Sequence, residues 1–246
     1  MRLFLYLFLG QLVGDFLLQS SELVRLKRLK MYGLYPHVGL VAVATAAAIW
    51  GSIPVPHALI LLGLVAAFHL LLDRLSILAF SKTDARQVFI FMADQVAHIA
   101  VLAGMAWVFT LYGQTPVGRS WAVPLSDAWL TLLCGVLAVA FGGAVFLFEV
   151  VEAVAPSDPK RAEGSLMGYS VARVVGMVER AALYLSVVTG FYLPSIVLLV
   201  ARGIWTATRT GDERTRTIAE SVATVLVVAV IAAVTVGIRA QFDISI

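Results

Sequence analysis

Eight apolar runs dominate this chain, near 3–19, 37–51, 57–80, 88–111, 128–154, 167–187, 190–206 and 217–239. Most approach the ~20 residues that an α-helix needs to cross the hydrocarbon core of a bilayer. In lipid, backbone N–H and C=O groups must be satisfied internally, which leaves only helices or a closed barrel. Continuous apolar runs of this length, without the two-residue alternation of a barrel strand, select helices. The expected fold is therefore all-α, a polytopic transmembrane bundle of about eight helices.

Composition tests that reading. Of 246 residues, 61% are hydrophobic and 13% are charged, against the roughly 25% charged of a soluble domain. Too few polar side chains remain to cover a water-facing surface. The net charge of +3 does not point to nucleic acid, because the basic residues sit in short connections with no aromatic interleaving. Cys134 is the only cysteine, which excludes an intramolecular disulfide and a multi-thiolate metal site. The run over 3–18 reads as a retained first helix rather than a signal peptide, since Asp15 interrupts it. Residues 1–246 read as a single membrane domain, with an Asp/His-bearing half over 1–111 and a Glu/Arg-bearing half over 128–246.

Charge sets the orientation. With both termini on the outer side, the inner connections receive Arg25, Lys27, Arg28, Lys30, Lys82 and Arg86, then Lys160, Arg161, Arg209, Arg214 and Arg216. The outer side receives only Arg2, Arg119 and Arg239. This is the asymmetry of the positive-inside rule. Trp50, Trp107, Trp121 and Trp129 then fall towards the outer boundary, where interfacial anchors belong. The basic segment over 23–30 reads as an amphipathic inner stretch touching anionic lipid.

Ionisable side chains within spanning segments are costly, and by default they face a bundle interior or a wet cavity. Gln11, Asp15 and Gln19 are each four apart, so one helix face carries all three. His69 and Asp73 are four apart on the third helix, and Asp94 and His98 repeat the pair in reverse order on the fourth. His37 opens the second helix directly after Pro36. Antiparallel third and fourth helices would bring His69 level with His98, and Asp73 level with Asp94.

Imidazole and carboxylate at this spacing on neighbouring helices can hold a divalent metal. Asp15, His37, His69, Asp73, Asp94 and His98 are the candidate ligands. Oxygen and nitrogen donors without thiolate suit zinc, manganese or iron. Asp15, Asp94 and His98 are the candidate acid–base groups of a metal-dependent hydrolase acting on a lipid-linked or phosphorylated substrate. The same residues would serve a proton or cation pathway in a secondary transporter. Hydrogen bonds that only hold helices together are the third reading, that of a structural or assembly protein.

A second polar set follows. Glu149 and Glu152 end the fifth run, Arg173, Glu179 and Arg180 lie along the sixth, Arg202 ends the seventh and Glu220 opens the eighth. An unpaired Arg180 near mid-bilayer would be so unfavourable that partners among these glutamates are expected. Arg173, Glu179 and Arg180 are also candidates for orienting an anionic substrate group.

The stretch Gly10-Gln11-Leu12-Val13-Gly14-Asp15-Phe16-Leu17-Leu18-Gln19, then His37, His69-x-x-x-Asp73 and Asp94-Gln95-x-x-His98, resembles the N-terminal signature of bacterial membrane proteins grouped as domain-of-unknown-function family 3307. The stretch from Arg173 to Arg180 is similar to a motif of longer members, and Ala219-Glu220 resembles the opening of their last helix. The resemblance implies a multi-pass protein of the bacterial inner membrane. It brings no established reaction.

Overall fold

The computed structural model describes residues 1–20, 22–23, 26–27, 31–79, 84–111, 117–155 and 171–242, with the backbone alone described at 31 and 84–86. Among the described residues every regular element is helical, and eight principal helices follow in order. We number them α1 (Arg2–Leu12, continued by a π-helical stretch Val13–Leu17), α2 (Leu34–Ile49), α3 (Val55–Ala79) and α4 (Asp84–Leu111). The rest are α5 (Asp127–Val154), α6 (Val171–Thr189), α7 (Leu193–Ala207) and α8 (Gly211–Gln241). A second π-helical stretch, Ala138–Gly142, lies inside α5.

Helices α3, α5 and α8, together with Gln87–Leu111 of α4, are long and apolar enough to cross a membrane. Only 17% of the apolar window of α3, and of α4, is buried. Leu59, Ile60, Leu71, Leu75 and Leu78 of α3 are exposed, as side chains facing lipid would be. Helices α2 and α7 have 16 and 15 residues. At about 1.5 Å per residue they are shorter than the ~30 Å core. Helix α6 has 19 residues but carries Arg173, Glu179 and Arg180. Arg25, Arg28, Lys30, Lys82, Lys160 and Arg161 of the orientation argument lie outside the described residues.

The chain forms two compact units, one from the described residues within Met1–Phe80 and Ile90–Cys134, the other from those within Ser81–Phe89 and Gly135–Ile246. In the first, α1 and α2 cross closely at Gly10 and Gly14. A Cβ on Gly14 would lie 2.5 Å from the Val41 Cα, and one on Gly10 would lie 2.5 Å from the Thr45 Cα. Small residues four apart allow backbones to approach in this way. Tyr6 is fully buried; its hydroxyl accepts from the Ser120 N–H (2.9 Å) and donates to the Val123 carbonyl (3.3 Å). Trp121 donates its N–H to the Trp50 carbonyl (2.8 Å). Its ring lies where a Cβ on Gly51 would stand, and Gly51 has φ of 73°, a conformation that favours glycine.

In the second unit Tyr184 is fully buried and its hydroxyl lies 3.0 Å from Thr235 Oγ1. A Cβ on Gly135 would stand 1.9 Å from the Tyr184 hydroxyl. Gly135→Ala is therefore expected to displace the ring and break its bond to Thr235. Overpacking of this kind costs about 1–3 kcal/mol, readable as a lowered melting temperature. Tyr184→Phe should recover part of the loss by removing the clashing oxygen.

Candidate metal centre

Each site residue arrives by a local feature of its helix. Asp15 sits in the π-helical stretch that ends α1, where the Leu18 N–H reaches back to the Val13 carbonyl (2.8 Å). Such stretches concentrate at functional sites. His37 lies in the first turn of α2, His69 and Asp73 one turn apart on α3, and Asp94 and His98 one turn apart on α4. Asp15, Asp73, His69 and His98 are buried, and His37 is fully so.

The side chains converge on His37 Nε2. Asp73 Oδ2 lies 3.1 Å from it, Asp15 Oδ1 3.3 Å, and His69 Nε2 3.0 Å. His69 Nε2 is also 3.8 Å from Asp73 Oδ2, and His98 Nε2 is 3.8 Å from Asp73 Oδ1. The His69 and His98 rings lie 4.6 Å apart. Two triads that share His69, namely Asp15 with His37 and Asp73 with His98, each have their ligand atoms within 4.8 Å. Zinc bonds of about 2.0–2.2 Å at tetrahedral angles would put ligand atoms about 3.4 Å apart. The separations of 3.0–3.8 Å bracket that spacing.

Proton positions, assigned from the hydrogen-bond network, sharpen the chemistry. The Gln19 amide is oriented by its Nε2 donating to the Asp15 carbonyl (2.8 Å) and its Oε1 accepting from Lys27 Nζ (2.6 Å). That oxygen end faces His37 Nδ1 at 3.3 Å, so Nδ1 carries the proton and Nε2 presents a lone pair. His98 Nδ1 faces the Asp94 carbonyl oxygen at 2.9 Å and Asp94 Oδ2 at 3.5 Å, both acceptors. Its proton is likewise on Nδ1, and the buried Nε2 has no hydrogen-bond partner. Asp73 Oδ2 is also without one. With these tautomers His37 Nε2 and His98 Nε2, like Asp73 Oδ2, turn acceptor lone pairs into the centre. Histidines tied through Nδ1–H to an acceptor and offering a bare Nε2 are how proteins prepare metal ligands.

Of the six candidate ligands the structure brings together Asp15, His37, His69, Asp73 and His98. Asp94 joins only through His98 and receives a hydrogen bond from Gln95 Nε2 (3.0 Å); its Oδ1 is unpartnered. Gln11 Nε2 donates to Asp15 Oδ2 (3.2 Å). Asp73 meets His98 rather than Asp94 because the Asp94 side chain is turned to the Nδ1 edge of His98.

Lys27 is the residue that the sequence reading placed elsewhere, on lipid. Its Nζ lies 3.5 Å from Asp73 Oδ2, 3.5 Å from His37 Nε2 and 3.9 Å from Asp15 Oδ1. One usable signal existed: the connection carrying it joins two site-bearing helices. One ammonium leaves one of the two negative charges of Asp15 and Asp73 to be met by a bound cation or a protonated imidazole.

Arg173, Glu179 and Arg180 belong to the second unit, where they line a cavity. Among the described residues Arg180 does not take a glutamate, contrary to the expectation from its depth. Its Nε donates to the Val139 carbonyl (2.8 Å) and its Nη2 to the Ala140 carbonyl (3.0 Å). Both carbonyls lie in the π-helical stretch of α5, which interrupts the regular ladder and frees them. Glu179 is taken instead by Arg202, through Nε–Oε1 at 2.7 Å and a second, Nη2–Oε2 contact.

Residues 3–123 match the family model described as Protein of unknown function (DUF3307). The match covers every Asp/His residue of the centre and stops before the Glu/Arg set. No curated protein and no solved structure matches the chain.

Proposed function

We propose that this chain, which belongs through residues 3–123 to the DUF3307 family, is a multi-pass bacterial inner-membrane protein working as a metal-dependent hydrolase on a lipid-borne substrate. The observation that carries the reading is the convergence of buried ligand atoms of His37, His69, Asp15 and Asp73 within 3.0–3.8 Å. His98 Nε2 adds a fifth, unpartnered donor at its edge. These residues would hold zinc, manganese or iron, and such an ion supplies Lewis acidity toward a phosphoryl or carbonyl oxygen.

The chain's own groups supply the rest. Gln19 and the Asp94 carbonyl fix the tautomers of His37 and His98. Asp94, with Oδ1 unpartnered, is the carboxylate left for proton transfer. Lys27 is the cation placed to meet negative charge on the substrate. Eight crossings with both termini outside put Lys27 and the centre in the inner half of the bilayer. The shorter α2 buries half of its residues, whereas the shorter α7 buries only Ser195 and turns its apolar side chains outward.

Elemental analysis of the purified full chain, after exposure to each metal and removal of the excess, is expected to find about one ion per chain of zinc, manganese or iron. The loaded protein should hydrolyse a generic phosphodiester or ester reporter faster than the chelated protein. Absence of stoichiometric metal sinks the metal reading. Metal without hydrolysis, but with uptake of that ion into proteoliposomes, would instead establish transport.

A further inference from the structure

The second unit holds a cavity of about 860 Å³, lined by parts of α5, α6, α7 and α8. Four guanidiniums reach it, those of Arg173, Arg180, Arg202 and Arg216, with three carboxylates, those of Glu152, Glu179 and Glu220. One positive charge is left over.

Two of these guanidiniums are clasped by carboxylates, and among the described residues Arg180 is not. Arg202 is clasped by Glu179 and donates its Nη1 to Ser221 Oγ (3.3 Å). Arg216 Nη2 pairs with Glu152 Oε1 at 2.7 Å. Arg180 is only 4% exposed, and among the described residues no carboxylate lies within ion-pair distance of it. Its two hydrogen bonds run to backbone carbonyls, which orient a guanidinium without neutralising it. Nη1 points to the Gly176 side, 3.3 Å from where a Cβ there would stand. Gly143 leaves room for the arm, since a Cβ on it would meet Arg180 Nε at 3.2 Å. A buried guanidinium held on neutral acceptors, facing a cavity, is a cation waiting for an anion.

The walls state what kind of anion. Leu147, Phe148, Leu198 and Trp205 line the same space. Val175 and Trp205, which also line it, are 59% and 57% exposed, so the cavity opens along an apolar outer surface. At the end of α7 the Arg209 guanidinium lies 4.0 Å over the Trp205 ring, a pairing of cation and indole suited to the head-group level of a bilayer.

We propose that this cavity binds the phosphodiester head of an anionic lipid, with Arg180 taking the phosphate and the acyl chains following the apolar wall. A phosphodiester carries one negative charge and matches the single guanidinium of Arg180. A phosphomonoester brings nearly two, and the exposed Glu220 disfavours the second. The inference does not rest on the metal reading, which concerns other residues.

The test uses the full chain in detergent with three probes: phosphatidylglycerol, diacylglycerol with the same acyl chains, and inorganic phosphate. Native mass spectrometry should show a single phosphatidylglycerol adduct, and the melting temperature should rise with that lipid alone. Ala172→Glu adds a carboxylate at an exposed position of the first turn of α6, where acidic residues suit the helix dipole. It should weaken the adduct at least tenfold while leaving the lipid-free melting temperature unchanged. Arg180→Gln should lose the adduct. Equal binding of diacylglycerol overturns the proposal, as does full retention of phosphatidylglycerol by Ala172→Glu. Stabilisation by inorganic phosphate equal to that by the lipid overturns the lipid source.

Discussion

Asp73→Asn is expected to weaken zinc binding by at least about 100-fold, since loss of an outer-shell partner alone costs about 10–100-fold. Lys27→Met is expected to strengthen it. Asp73 is the side chain shared by the whole centre, with Oδ2 3.1 Å from His37 Nε2 and Oδ1 3.8 Å from His98 Nε2. Asparagine keeps the shape but removes the charge and puts an amide NH2, a donor that cannot bind metal, in place of one carboxylate oxygen beside those nitrogens. The metal-free variant should therefore melt no lower than the metal-free wild type, while the metal-dependent rise in melting temperature disappears. That rise corresponds to about 2.7 kcal/mol at a metal concentration 100 times the Kd.

Lys27→Met acts in the opposite direction because the ammonium contests the same lone pairs. At about 4 Å and an effective dielectric of ~20, two unit charges interact by about 4 kcal/mol, and repulsion of a dication is larger before the carboxylates screen it. A gain of at least about tenfold follows, measurable by competition with a chelating dye. A centre that serves packing alone gives the reverse pattern. There, Lys27→Met leaves Asp15 and Asp73 unbalanced and lowers the melting temperature, with no change in metal content.

Much of the centre was legible because helical period does not depend on the rest of the fold. Four-residue spacing put Gln11 beside Asp15, and reversed pairs on antiparallel helices put His69 beside His98. The break between the runs ending at 187 and beginning at 190 was equally plain, and Gly190 has φ of 76°. What sequence could not supply came from contacts between segments far apart. Neither π-helical stretch has a local marker, yet one carries Asp15 and the other frees the carbonyls that hold Arg180. Hydropathy put Lys27 in a connection, and the basic run around it suggested lipid. Its true neighbours, Asp15, His37 and Asp73, come from three different helices. Periodicity placed Asp73 and Asp94 at one level, but the choice of His98 as partner to both depends on a ring rotamer. Tautomers are further removed still, since Gln19 sets that of His37 across the gap between two helices.

Gly14→Ala is expected to be a costly single methyl addition, because the clash falls on backbone. The new Cβ would lie 2.5 Å from the Val41 Cα and 2.9 Å from Val41 Cγ2, whereas carbon atoms rest at about 3.5–4.0 Å. The nearest obstacle is backbone, so no rotamer change relieves it; α1 and α2 must part by about 1 Å. Overpacking costs about 1–3 kcal/mol, occasionally more, and a clash that moves a whole helix belongs at the upper end. The same displacement draws Asp15, the next residue, away from His37 Nε2, now at 3.3 Å. Metal affinity should therefore fall together with the melting temperature, although no ligand has been changed. Gly63→Ala is the control, since a Cβ there meets nothing within 4 Å. It should leave metal affinity untouched and, by removing glycine from a helix interior, raise stability by up to about 1 kcal/mol. If Gly14→Ala melted and bound metal as Gly63→Ala does, the close crossing of α1 and α2 could not be what holds Asp15 against His37.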